Sequence, residues 1–208
     1  FMTSSFCYAI LCGGKSLRMG QDKSLLEAEG TPIIQRIVNN LGAIPDKYEK
    51  LFICSGDKRY AQLDNKNLFY LDDYLTDYQG PLSALAAVLY CLKNDQSAKQ
   101  QWVFTFPIDT LLLPSQTFGL IKQSIEQNPT CDMVYLRGER DHPLHGAYRI
   151  DIAKKLFDYL NDGERAVMRF IKQLDCQMID IPKSWSDYIN FNTVESFNKA
   201  LKAQKHAS

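Results

Sequence analysis

Seven short apolar runs punctuate the chain, and between them apolar residues recur at helical spacing. The strand-like runs are 6–12, 51–54, 68–71, 102–106, 132–136, 144–149 and 177–181. Each is four to seven residues long and rich in β-branched, aromatic or cysteine side chains, as a buried strand requires. Between Pro32 and Leu41, residues Ile33, Ile34, Ile37, Val38 and Leu41 fall on one side of a helix, and Pro32 suits its first turn. Further helical patterns run from Pro81 to Leu92, Ser115 to Gln127 (Ser115 as N-cap), Ile152 to Leu160 and Ala166 to Leu174. A last helix is expected from Thr193 to about Gln204, with Asn192 as N-cap and Glu195 three residues on. Strands alternating with helices predict an α/β domain whose open, mostly parallel (mixed) sheet is flanked by helices.

The 208 residues suffice for one domain with a substantial core, and neither linkers nor repeats divide them. Residues 1–5 carry no element pattern and are expected to fall outside the ordered domain. Basic and acidic residues balance at 24 each, so nothing in the charge points to nucleic acid or a membrane surface. No run approaches the length of a membrane span, and Phe1–Ser5 has neither the basic start nor the apolar stretch of a signal peptide. Cys7, Cys12, Cys54, Cys91, Cys131 and Cys176 form no C-x-x-C pair, and several sit in apolar runs. That suits reduced thiols in a cytoplasmic protein better than disulfides or a zinc site.

The chemistry begins where the first run ends. Leu11 and Cys12 lead into Gly13-Gly14-Lys15-Ser16-Leu17-Arg18-Met19-Gly20-Gln21-Asp22-Lys23. Glycines let backbone N–H groups approach an anion, and Lys15, Arg18 and Lys23 supply charge that the backbone cannot. The segment is not a P-loop, because position 9 is Ala where that motif needs Gly, and no G-x-G-x-x-G spacing fits its glycines. Ligands in open α/β sheets bind beyond the carboxyl ends of the strands. Asp73 follows the third run and Asp109 the fourth. A basic loop with acidic strand ends is the arrangement a nucleotide and a divalent cation require.

The run Leu11-Cys12-Gly13-Gly14-Lys15-Ser16-Leu17-Arg18-Met19-Gly20-Gln21-Asp22-Lys23 resembles the L-x-G-G-x-S-x-R-M-G-x-D-K signature of the molybdenum cofactor guanylyltransferases, the MobA family. Asp73–Leu82, Gly138–Pro143, Gly163–Met168 and Asn190-Phe191-Asn192-Thr193 resemble four further motifs of that family, in its order. The resemblance implies a single Rossmann-like nucleotidyltransferase domain that joins GMP from GTP to molybdopterin and releases pyrophosphate. It implies that Leu11, Cys12, Gly13 and Gly14 meet the nucleotide through backbone, that Lys23 binds its phosphates, and that Asp73 lies in the nucleotide site. It further implies Mg²⁺ on Asp109, and Arg165, Asn190 and Asn192 on the pterin side. Proteins that supply molybdenum cofactor and accept the product are implied partners. Two departures matter. Leu111 stands where the family has Pro, which is expected to loosen the loop after Asp109. Cys54 stands where an Asn would contact the nucleotide.

The acceptor in such a reaction attacks through a phosphate oxygen already ionised near neutral pH, so no protein base is required. Catalysis then consists of charge neutralisation and in-line positioning, with Lys23 and Arg18 facing the charge that develops. His142 and His145 are left for a substrate-side hydrogen bond or a structural role. Asn192 is either a helix cap or a pterin contact. Arg137, Arg140, Arg165 and Arg169 either form a phosphate-binding wall or serve local structure. The first loop alone also fits a cytidylyltransferase, a sugar-phosphate nucleotidyltransferase or a non-catalytic cofactor carrier. Lys23→Ala is expected to lower turnover by about 10²–10³, the loss of a charged hydrogen bond in a largely desolvated site, whereas Lys15→Ala is mild. Steady-state kinetics on the two variants checks the assignment, and the reverse ranking would refute it.

Overall fold

Tyr8 and Ile10 point to one face of a sheet, Ala9 and Leu11 to the other, and all four are buried. In this computed structural model the described residues are 6–12, 22–44, 50–63, 67–76, 80–96, 99 and 101–207. Gly13, Gly14, Lys15 and Arg18 lie outside them, as do residues 1–5. The main sheet is built from β1 (Phe6–Leu11), β4 (Leu51–Cys54), β5 (Leu68–Leu71), β6 (Trp102–Pro107), β7 (Met133–Arg137), β8 (Asp141–Arg149) and β9 (Cys176–Asp180). Their spatial order is β5-β4-β1-β6-β8-β7-β9. β8 alone runs antiparallel to its neighbours, so the sheet is mixed but mostly parallel, as the alternation of elements predicts. A small hairpin of β2 (Glu27–Ala28) and β3 (Thr31–Pro32) is an addition that the apolar pattern did not reveal, being too short to show periodicity.

Helices cover both faces. α1 (Ile33–Leu41), α3 (Pro114–Gln127) and α6 (Val194–Ala207) pack on the face that carries Phe6, Tyr8, Ile10, Phe104 and Phe106. α2 (Pro81–Asn94), α4 (Ala153–Asn161) and α5 (Val167–Ile171) pack on the face of Cys7, Ala9, Leu11 and Val103. Leu82 through Leu89 are buried without interruption, because α2 is sandwiched between the sheet and α4. Its N-terminus is set by Gly80 at φ +91°, a conformation that side chains disfavour, with Pro81 in the first turn.

Two expected caps move, one by two residues and one by a single residue. α3 starts at Pro114, with Leu113 at the N-cap position. The Leu113 N–H donates to Gln116 Oε1 at 2.8 Å, and Ser115 lies inside the helix. α6 is capped by Thr193, whose Oγ1 accepts from the Ser196 N–H at 3.0 Å, which leaves the Asn192 side chain outside the cap. The reason is geometric: one residue of either type satisfies the orphan N–H groups, and here Thr193 has the register. α5 and β9 also sit within a few residues of their expected bounds rather than on them.

β8 is interrupted where it matters. Tyr135 pairs with Gly146, but the next residue, Leu136, pairs with His142, so Pro143, Leu144 and His145 bulge from the ladder. A Cβ on Gly146 would stand 2.2 Å from Val134 O and 3.0 Å from Tyr135 Cα, both backbone atoms that cannot retreat. Gly146→Ala is therefore expected to destabilise the fold by about 2–3 kcal/mol, the cost of forced overpacking. Denaturant unfolding with an unchanged m-value measures it, and wild-type stability would show that the strands can separate.

Candidate active site

The carboxyl ends of four parallel strands are brought level by their register. Leu11 pairs with Cys54 on one side and Pro107 on the other, and Cys54 pairs with Leu71. Beyond these ends the backbone continues the pattern: Ile108 N–H donates to Leu11 O at 3.2 Å and Cys12 N–H to Cys54 O at 3.0 Å. Leu11, Cys12, Asp73 and Asp109 thus stand along one edge. Burial pushes the Cys12 thiol up to about 12, with the Asp22 carboxylate adding to it, so Cys12 is a neutral spacer. Cys54 is buried as well, and its Sγ points to Ala84 O, 3.8 Å away, on α2.

Lys23 is presented from the turn Lys23–Leu25, built around its neighbours. Asp22 Oδ1 accepts from the Ser24 N–H at 3.0 Å, and its Oδ2 pairs with Lys58 Nζ at 3.0 Å. Tyr60 O–H donates to the buried Ser24 Oγ at 2.9 Å. Burial would raise the Asp22 carboxyl, but Lys58 and the Ser24 N–H outweigh it and hold Asp22 below the usual carboxylate range. Lys58 and Tyr60 lie in no motif, so nothing in the chain's pattern marked them as supports of Lys23.

Lys23 Nζ lies 3.9 Å from Asp109 Oδ2, with the two side chains 17% and 24% exposed. The same ammonium donates to Asn192 Oδ1 at 2.9 Å. Asn192 Nδ2–H donates to Asn190 Oδ1 at 2.8 Å, and Arg140 Nη2–H donates to that oxygen at 2.8 Å. Asn190 also hydrogen-bonds the Asp109 carboxylate. Burial nevertheless keeps the Asp109 carboxyl above its ordinary range, against the pull of Lys23, Asn190 and Arg140. Lys23, Asp109, Asn190 and Asn192, assigned from three separate stretches of sequence, form one cluster.

Backbone pairing holds that cluster together. Leu111 N–H donates to Tyr188 O at 2.9 Å and Phe191 N–H to Asp109 O at 2.8 Å. Thr110 O–H reaches Tyr188 O at 3.4 Å. The expectation that Leu111 loosens this loop is thereby corrected: its N–H makes a bond that a Pro could not, and its side chain is buried. From the bulge of β8, buried His145 donates through Nε2 to Ile189 O at 3.1 Å, which gives it a structural role.

The remaining arginines divide. Arg137 is paired with Asp180, and Arg169 with Glu164. Arg165 Nη1 donates to Leu160 O and Glu164 O at the end of α4. Arg140 joins the cluster, and it also lines a cavity of about 330 Å³ with Glu139, His142, Ser186 and Ile189. Asp73 stands at the opposite end of the edge, beyond β5. Burial and the Asp72 charge raise its carboxyl.

Residues 8–177 match the family model described as the MobA-like NTP transferase domain. The chain belongs to that family. Relatives bearing the name molybdenum cofactor guanylyltransferase include one from Haemophilus influenzae, 27% identical over 96% of this chain and 100% of its own. Another, from Serratia proteamaculans, is 29% identical over 89% of each chain. The fold matches the crystal structure of molybdopterin-guanine dinucleotide biosynthesis protein A from Archaeoglobus fulgidus with a TM-score of 0.72, at 16% identity, over 96% of this chain and 99% of that one. The nucleotidyltransferase fold and class read from the motifs are thus in place. Among the described residues no helix is long and apolar enough to cross a membrane, and none of the six cysteines forms a disulfide.

The donor set also fits the cation the family implies. Among the described residues no group of three or more His, Cys, Asp or Glu could hold a metal alone. A half-buried carboxylate with a lysine beside it suits Mg²⁺, which binds through one or two carboxylates and completes its shell with water and substrate phosphates.

Burial, reinforced by the nearby His142, lowers the His145 pKa to about 3. In the unfolded chain it returns to about 6.5. Below that pH the unfolded state takes up a proton that the folded state refuses, so stability falls as pH drops from about 6.5 toward 3, with a slope approaching about 1 kcal/mol per pH unit. His145→Gln is expected to flatten this part of the profile. Urea unfolding across that range, compared between the two proteins, tests it, and parallel profiles would refute the neutral, structural His145.

Proposed function

We propose that this protein transfers GMP from GTP to molybdopterin, with or without molybdenum, forming a guanine dinucleotide cofactor and pyrophosphate. The observation that carries the reading is the placement of Lys23, from the turn Lys23–Leu25, beside Asp109 at the end of β6, with Asn192, Asn190 and Arg140 joined to them. The names of the relatives support guanine and molybdopterin as the two substrates.

The nucleotide lies over Leu11, Cys12 and the Gly13-Gly14 loop, toward Asp73. Lys23 meets its phosphates, and Arg18 adds a second cation. Asp109 would hold Mg²⁺, and the ion would supply neutralisation of phosphate charge. The acceptor enters from the Arg140–His142 cavity, with Asn190 and Asn192 along its path and Arg165 on the outer pterin side. An ionised phosphate oxygen of the acceptor attacks the α-phosphorus, the bond to the β-phosphate oxygen breaks, and pyrophosphate leaves. The chain's own work is to hold two anions in line and offset their repulsion. The reduced cysteines fit a cytoplasmic setting.

Calorimetric titration in Mg²⁺ is expected to rank GTP above ATP, CTP and UTP. Tighter or equal CTP binding would favour the cytidylyl alternative. In the same system Asp109→Asn is expected to remove nearly all pyrophosphate release while circular dichroism stays unchanged, because an amide is the poorer Mg²⁺ ligand. Wild-type turnover in that variant would move the metal elsewhere.

A further inference from the structure

The hydrogen bonds of the cluster have a direction that their charged ends dictate. Lys and Arg only donate, so the atom that Lys23 meets must be Asn192 Oδ1, and the atom that Arg140 meets must be Asn190 Oδ1. Each amide therefore turns its NH₂ inward, Asn192 toward Asn190 and Asn190 toward Asp109. Neither amide can flip without setting donor against donor.

An ammonium has three protons to donate. Among the described residues one goes to Asn192, one faces Asp109 at 3.9 Å, and a third is left over. Asp109 neutralises Lys23, whereas the neutral amide of Asn192 orients the ammonium and leaves its charge intact. Asn192 can do this because Thr193, not Asn192, caps α6.

We infer that Asn192 is a positioning residue for the nucleotide: it fixes the Lys23 ammonium for the triphosphate before any acceptor binds. The inference rests on the reading of Lys23 as the phosphate-binding cation, and it places part of the segment assigned to the pterin on the donor side. The segment thereby ties the two half-sites together.

The test uses the full chain, with Mg²⁺–tripolyphosphate and Mg²⁺–GTP titrated calorimetrically in the absence of acceptor. Asn192→Ala is expected to weaken both by about tenfold, the scale of one hydrogen bond to a charged group. Asn192→Asp keeps the shape but ion-pairs Lys23 and repels phosphate, and is expected to weaken both further, by about 10²-fold. In a Lys23→Ala background Asn192→Ala adds no further loss. Melting temperatures near wild type accompany these changes, since the helix cap is untouched. Unchanged tripolyphosphate affinity in Asn192→Ala, or an equal loss with and without Lys23, overturns the inference, as does a wild type that binds no tripolyphosphate. A wild type that binds tripolyphosphate but prefers another nucleotide to GTP refutes the guanylyl reading alone, and the Asn192 comparison still stands.

Discussion

Two backbone hydrogen bonds, Leu111 N–H to Tyr188 O and Phe191 N–H to Asp109 O, govern the rest of the site. They join the loop that leaves β6 to a segment almost eighty residues later in the chain. Without them Asp109 would be a carboxylate on an open loop, and Asn190 and Asn192 would have nothing to face. The apolar anchors Tyr188, Ile189 and Phe191 are all buried, so the pairing is shielded from competing water. His145 reinforces it from the bulge of β8, and Gly146 allows that bulge by letting two backbones approach.

The electrostatics follow from that clamp. A buried carboxylate is costly unless positive charge or donors face it. Asp109 has Lys23, Asn190 and Arg140 around it and still resists ionisation. On the proposed reading a metal-bound triphosphate would bring positive charge to Asp109 and negative charge to Lys23. Asp22 is the contrasting case: Lys58 and the Ser24 N–H satisfy it fully, and it serves as scaffold.

Much of this was legible in the chain itself. The strand–helix alternation and the doubly buried β1 follow from uninterrupted apolar runs, because a strand covered on both faces has no polar side to show. Asp73 and Asp109 could be placed at one edge because parallel strands put all their carboxyl ends together. What escaped was the result of long-range contact. The support of Lys23 by Lys58 and Tyr60, the selection of Arg140 from four candidate arginines, and the rescue of the Asp109 loop by the Leu111 N–H each join residues tens of positions apart. A backbone N–H has no signature in a sequence, so a missing proline read as looseness where the fold had made a bond. By type Asn192 was the better cap, but the helical register gave the place to Thr193.

The helix that ends the described chain carries a consequence for how the catalyst comes into being. α6 lies directly behind the clamp: Phe197 packs on Phe191, and Gln204 Nε2–H donates to Leu111 O at 2.8 Å. The edge formed by β1, β4, β5 and β6 is complete by residue 107, yet the Asp109 loop is pinned by residues 188–191. During synthesis β1, β4, β5 and β6 can collapse long before α6 emerges, so a nascent chain holds an unfinished edge until α6 docks. In the finished protein the same wiring makes fraying of α6 and loss of the cluster's geometry a single equilibrium.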